Sequence, residues 1–259
     1  MSPAVWIQVK ELSRRSVIRT LRQPSQIVPS ITFPLLLLAI NAGGLDAATD
    51  LPGFPTDSYL TFALAIPFIQ AGIFAVSGAG ADLARDIETG FLNRLALTPM
   101  TGAALVAGQL AGTVALGIFQ AAVFVSVGLA AGATLEAGLA GALVIVALCI
   151  VISFAFGCIG VFAAFRFGNG EAVQGLFPVL FVFLFLSSMA LPRPLIEQDW
   201  FRTIATYNPV SYLLEGIRSL FIVGFDEVAL ARAFACALGI GLVFLVLAAA
   251  NVRTRLVRT

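Results

Sequence analysis

Asp82, Arg85, Asp86, Glu88 and Arg94 fall within thirteen positions of a chain in which only 11% of residues are charged. Such a cluster can form ion pairs or touch a partner, and little else around it is reactive. Histidine is absent, which removes Ser-His and Cys-His nucleophilic chemistry, HExxH zinc sites and His-ligated haem. Cys149, Cys158 and Cys236 lie in apolar runs without metal or disulfide spacing, as buried inert thiols do. No G-x-x-x-x-G-K-[ST] occurs and Lys10 is the only lysine, so the chain lacks a P-loop and its energy must come from elsewhere. The run Gly78 to Asp82, GAGAD, is close to the Gly-x-Gly-Asp of intramembrane aspartyl proteases. It has one residue too many, and no second acid is placed to share a proton.

The charged cluster interrupts two apolar runs, each long enough to cross a bilayer. At about 2.5–3.5 kcal/mol per charge at the bilayer centre, five charges would cost on the order of 10–15 kcal/mol, so the segment lies in water or at the interface. The whole 259-residue chain is 59% hydrophobic with a mean hydropathy of +1.00. Six apolar segments, about 26–44, 57–81, 101–131, 137–164, 172–191 and 228–250, each reach the roughly 17–25 residues of a membrane-spanning helix. Pro29, Pro34, Pro67 and Pro178 lie inside them, which membrane helices tolerate when neighbours satisfy the freed carbonyls. The fold expected is an all-α polytopic membrane protein with six transmembrane helices and no room for a second globular domain.

Basic residues orient it. With the N-terminus inside, the inner segments hold eleven of the fifteen Lys and Arg and net +6, while the outer segments net −5. Both termini are then cytoplasmic. The first twenty residues are polar and basic, so no cleavable signal is expected there. Residues 4–23 read as an interfacial helix, with Gln8, Glu11, Arg15, Arg19 and Arg22 on one face and Trp6, Val9, Ser13, Val17 and Leu21 opposite. Asp86 to Leu97 reads as a short cytoplasmic helix with Phe91, Leu92 and Leu95 as an apolar patch among charges, a candidate docking surface, before Pro99. In the outer segment 192–227, Asn208 then Pro209 predict a helix start and Gly224 a stop. At about 1.5 Å per residue this helix spans roughly 21 Å, too short to cross, so it lies at the outer surface or dips in and returns. Glu215 and Arg218 are expected to pair on its wet face.

Gln70, Gln109, Gln120 and Gln174 stand in the spans, where an amide pairs with a neighbouring helix or faces a cavity. Gly108-x-x-x-Gly112 and Gly128-x-x-x-Gly132 would let helices approach closely. The 22 phenylalanines suit lipid-facing packing or an apolar cargo path, for which Tyr59, Phe62, Phe177 and Phe181 are the candidates.

Three stretches carry a resemblance: LSRRSVIRTLRQPSQIVPSITFPLLLL, RDIETGFLNRLALTP, and FRFGNGEAVQGLFPVLFVFLFLSSMALP followed by YNPVSYLLEGIRSL. In this order, over essentially the full length, they resemble the ABC-2 type transporter permeases, and most closely the daunorubicin-type drug exporters. The resemblance implies one transmembrane domain over 1–259 in which Arg85, Asp86, Glu88, Gly90, Phe91, Arg94 and Pro99 form a coupling helix seated in a separate ATP-binding subunit. Where the family often has a Glu-Arg-Glu trio, this chain reads Arg85-Asp86-Ile87-Glu88. It implies further that the 4–23 helix, with Trp6, Arg15, Arg19 and Arg22, contacts that subunit. Two ATP-binding subunits would carry ATP and Mg, and two permease copies, simplest as a homodimer, would line the path with spans one, two and five. The outer segment 192–227, with Asn208, Pro209, Glu215 and Arg218, would be a re-entrant cap outside. The function implied is export of a hydrophobic or amphipathic compound across a bacterial cytoplasmic membrane by a subunit that is not itself an enzyme. A lipid or lipid-linked glycan is the alternative cargo. An ion-driven transporter without an ATPase is the alternative class, and it wants ionisable residues in mid-span, whereas Asp82 and Arg232 lie near span ends.

Overall fold

The computed structural model describes residues 3–91 and 102–256. Its helices are α1 (Pro3–Leu21), α2 (Pro24–Gly44), α3 (Tyr59–Ala63), α4 (Ala65–Glu88), α5 (Gly102–Ala130), α6 (Gly138–Phe167), α7 (Gly170–Gln174), α8 (Leu176–Phe185), α9 (Asp199–Tyr207), α10 (Pro209–Ile222) and α11 (Glu227–Leu256). Among the described residues there is no strand. Five helical segments are long and apolar enough to cross a bilayer: α2, α3 with α4, α5, α6 and α11.

Two prolines shape the bundle. Pro67 has no N–H to give to the carbonyl of Ala63, and its ring crowds that carbonyl, so the helix jogs at Leu64 between α3 and α4. Pro178 stands in the same relation to Gln174, and the chain jogs at Gly175 between α7 and α8. The single helix expected over 172–191 therefore does not form. The helical part, Gly170–Phe185, is short of a span, and residues 187–192 are non-helical.

The core pair is α4 against α6. A Cβ at Gly160 would lie 2.2 Å from the Val76 carbonyl oxygen and one at Gly80 2.8 Å from the Gly160 oxygen, so the two backbones touch. Phe62, Ile66, Ile69, Ile73, Phe124, Ile145 and Phe221, all fully buried, fill the core on the α3 side of this contact. At the edges α2 and α11 bury only 17% and 22% of their most apolar stretches, leaving broad apolar faces for lipid or another chain.

Helix α1 does not stand apart as a simple amphipathic rod. It runs in the same direction as the first turns of α5, with Leu12 beside Gly108 and Ser16 and Thr20 beside Gly112. The Ser16 hydroxyl donates to the Gln109 carbonyl at 3.1 Å. The face it buries, Leu12–Ser16–Thr20, is neither of the two read from the helical wheel. Trp6 and Leu21, on the expected apolar face, stay exposed. Of the second glycine pair, Gly128 packs against Leu64, while Gly132, at φ 98°, ends the turn after α5.

Replacing Gly112 by Leu would drive a side chain into Ser16 and Thr20, where a Cβ alone comes within 2.5 Å of both hydroxyls. The overpacking costs about 1–3 kcal/mol and should lift α1 from α5. Limited proteolysis of the purified protein should cut within residues 3–21 several-fold faster in Gly112→Leu than in Gly239→Leu, whose site is open. Equal rates would remove the proposed anchor.

Candidate functional site

The charged cluster that opens the sequence is split by the fold. Helix α4 runs unbroken through Asp82 and Asp86 to Glu88 and stops at Gly90, which takes φ 68°. Asp86 and Glu88 thus belong to the last turns of the second span and not to a separate helix starting at 86. The rest of the expected coupling helix, with Arg94 and Pro99, lies outside the described residues.

The reason α4 can continue through its acids stands on α1. Asp82 and Asp86, one turn apart, are both 7% exposed. The Arg19 guanidinium sits between them, 2.9 Å from Asp82 Oδ1 and 3.2 Å from Asp86 Oδ1. Arg15 adds a second contact to Asp86 at 3.4 Å and lies over the Phe91 ring at 4.1 Å. Exposed Glu88 accepts from the Gly170 N–H at 3.1 Å, and Asn169 caps α7 by accepting from the Ala172 N–H. The end of α4 therefore ties α1 on one side to the start of α7 on the other. Arg85 projects outward, and Arg22 is likewise exposed.

At the opposite end of the bundle a second set of polar side chains holds the non-helical stretch after α8. Arg218 is 6% exposed and is not paired with Glu215 on a wet face. Its Nε donates to the Phe62 carbonyl at 3.0 Å, and its Nη groups donate to the carbonyls of Ser188 and Met189 at 3.2–3.3 Å. The guanidinium also lies 3.5 Å over the Phe62 ring. Burial favours carbonyls here because the chain has bent away from helical bonding at Leu64 and again after Phe185. Glu215 instead takes Arg193 in a two-pronged pair, with Nε at 2.7 Å. It also accepts from Ser188 Oγ at 3.2 Å. Burial works against the charge of Arg193, but the Glu215 carboxylate more than offsets it and raises its pKa.

Asn208 does two tasks. Its side-chain oxygen caps α10 by accepting from the Val210 N–H at 2.9 Å, with Pro209 in the first turn. Its amide N–H group donates to the carbonyls of Phe183 and Leu186. Tyr59 and Phe62 are fully buried. The Tyr59 hydroxyl donates to the Ala190 carbonyl at 2.9 Å. These two rings hold the outer segment, and of the four aromatic path candidates Phe177 borders an inner cavity. Phe181 packs on Phe177 with ring centroids 4.7 Å apart. Among the intraspan amides, Gln120 donates to Ser30 and Gln109 to the Ala79 carbonyl, tying helix to helix. Gln70 is buried with Oε1 lacking a partner among the described residues, and Gln174 is exposed. Ser211 Oγ accepts from the Ser188 N–H at 3.0 Å, and the sequence reading assigns no role to Arg193, Ser188 or Ser211. Polar residues at 187, 188 and 193, just past an unbroken apolar run, were the available signal.

Arg218→Ala removes a donor from three buried carbonyls and should cost on the order of 3 kcal/mol, at about 1–3 kcal/mol for each carbonyl left unsatisfied, seen as a lower melting temperature in detergent. Arg218→Lys should recover less than half of the loss, since an ammonium cannot fork across three carbonyls. Wild-type stability in Arg218→Ala would contradict the assignment.

Residues 7–222 match the family model described as ABC-2 type transporter. The chain is 29% identical over 215 residues to the daunorubicin resistance ABC transporter permease protein DrrB1 of Streptomyces coeruleorubidus, covering 80% of this chain and 73% of that one. It is also 28% and 27% identical to the putative transport permeases ycf38 of Pyropia yezoensis and Porphyra purpurea, over 83% of this chain and 74% of each. With five long apolar helices among its described residues, this multi-pass membrane chain belongs to the ABC-2 type transporter family.

Proposed function

We propose that the chain is the permease subunit of an ATP-driven exporter that moves a hydrophobic or amphipathic compound out of the cell. Family membership supports an ATP-binding partner, and the drug-resistance relative supports such a cargo. In this reading two ATP-binding subunits bind ATP and Mg, two copies of the permease form a homodimer, and α2, α4 and α8 face the path. The assembly sits in a bacterial cytoplasmic membrane with both termini inside. Segment 170–192 makes the sixth crossing, its non-helical part held by Arg218, Asn208 and Tyr59, and α10 forms the re-entrant cap.

The observation that carries the mechanism is the clamp of Arg19 on Asp82 and Asp86. A partner pressing on residues 85–91 and on α1 meets one body, because the ion pairs join α1 to the end of a helix that continues through the core. Closing of the ATP-binding subunits would then tilt α4, and with it α7 through Glu88, opening the path outward. Arg94 and Pro99 extend the contact surface in this reading, and Trp6 and Arg22 add to it on α1.

Purified alone, the chain should hydrolyse no ATP, and an ATP-binding subunit should co-purify from its native host. In the reconstituted complex, Gly90→Pro or Phe91→Asp should abolish the permease-dependent stimulation of ATPase while membrane insertion is unchanged. ATP hydrolysis by the chain alone, or full stimulation in both variants, would sink the coupling role.

A further inference from the structure

A cavity of about 400 Å³ lies among α1, α2, α4, α5, α8 and the end of α7, within the range of roughly 300–1,000 Å³ usual for small-molecule sites. It follows α4 from Phe74 to Asp82, roughly 12 Å at about 1.5 Å per residue. Small residues keep it open, since Ala75, Gly78 and Ala79 form its α4 wall. Exposed Ser25 and Pro29 at the start of α2 flank one side of its mouth, and exposed Gln174 and Pro178 the other. Its far end, away from the charged clamp, is closed by rings. Phe74 meets Phe177 edge to face at 5.1 Å, and Phe33 bridges Phe74 and Phe181 at 6.2 and 5.9 Å.

The polar groups on the wall divide into two kinds. Gln109, Thr113 and Asp82 are spent on Ala79, Leu110 and Arg19. Gln26, Ser77 and Gln174 have no side-chain hydrogen-bond partner among the described residues. Amides and hydroxyls within apolar spans carry a cost unless something in the cavity bonds to them. A cavity with an aromatic end, free neutral donors and acceptors, and its one carboxylate already neutralised fits an uncharged amphipath.

We propose that this cavity, enclosed within a single chain, binds a neutral aromatic amphipath. Its flat apolar body lies against Phe74 and Phe177, and its hydrogen-bonding head lies on Gln26 and Ser77. The site would be the inward-side loading position of the exporter, and in that role it rests on the permease reading above.

The probe is Nile red, a neutral aromatic amphipath, titrated into lipid nanodiscs holding the full chain with its ATP-binding subunit, with empty nanodiscs subtracted. Gly78→Leu fills the cavity without a backbone clash, since a Cβ there meets only Gln26 Oε1 at 3.5 Å. It should weaken saturable binding at least tenfold, and Ser77→Val several-fold. Gly239→Leu, at an open site on α11, should bind as the wild type. Unchanged affinity in Gly78→Leu and Ser77→Val, or no saturable signal from the wild type, overturns the cavity as a ligand site. ATP-driven efflux of Nile red from proteoliposomes is read in parallel. Efflux with unaltered binding in the cavity variants removes the site and leaves the exporter reading intact. Variant-sensitive binding without efflux keeps the site and removes its loading role.

Discussion

Arg19 placed between Asp82 and Asp86 is the contact on which the rest depends. Three charged groups share a small, largely dry space, and each acid is tolerable there only because the guanidinium faces both. The pairing lets α4 carry its helix past the apolar region to Glu88, and it fixes α1 to α4 while Leu12, Ser16 and Thr20 fix α1 to α5. A helix that would otherwise float on the bilayer surface becomes part of the bundle. In the permease reading proposed above, this junction would carry a mechanical input from residues 85–91 into the bundle.

At the other end of the bundle the governing constraint is the backbone's need for partners in an apolar medium. Pro67 and Pro178 break regular bonding in two helices, and the chain after Phe185 leaves the helix altogether. Arg218, Asn208, Tyr59 and Ser211 supply or receive the missing bonds, and all come from α3 or from Asn208 and the helix that follows it. Their joint presence binds α10 to the broken segment, so motion of one drags the other. The Glu215–Arg193 pair closes this outer layer.

Much of this was legible in the residues. The lengths of apolar runs located α2, α5, α6 and the apolar part of α11 to within a few positions, because an apolar run of about twenty residues or more has few other uses. The end of α4 is not legible in the residues, because a run of charges ordinarily leaves an apolar helix, whereas here a partner arginine on a distant element keeps Asp82 and Asp86 in it. Arg218 was misassigned for a related reason. Spacing of three from Glu215 suggests a local pair, but three backbone carbonyls, two of them in the non-helical stretch after α8, made a better set of partners. The buried face of α1 escaped the helical wheel because Ser16 and Thr20 are small and polar, and closeness to two glycines does not register as hydrophobicity.

The claim that α1 and the end of α4 move as one body is tested most directly by pulsed electron spin distance measurement on the reconstituted complex. Labels at Arg14 and Arg85, with the native cysteines replaced, report the junction, and labels at Arg85 and Leu238 report its movement against α11. On trapping the ATP-bound state, the first distance should stay unchanged within its distribution while the second shifts by several ångströms. A change in the Arg14–Arg85 distance as large as that in the second pair would contradict the account.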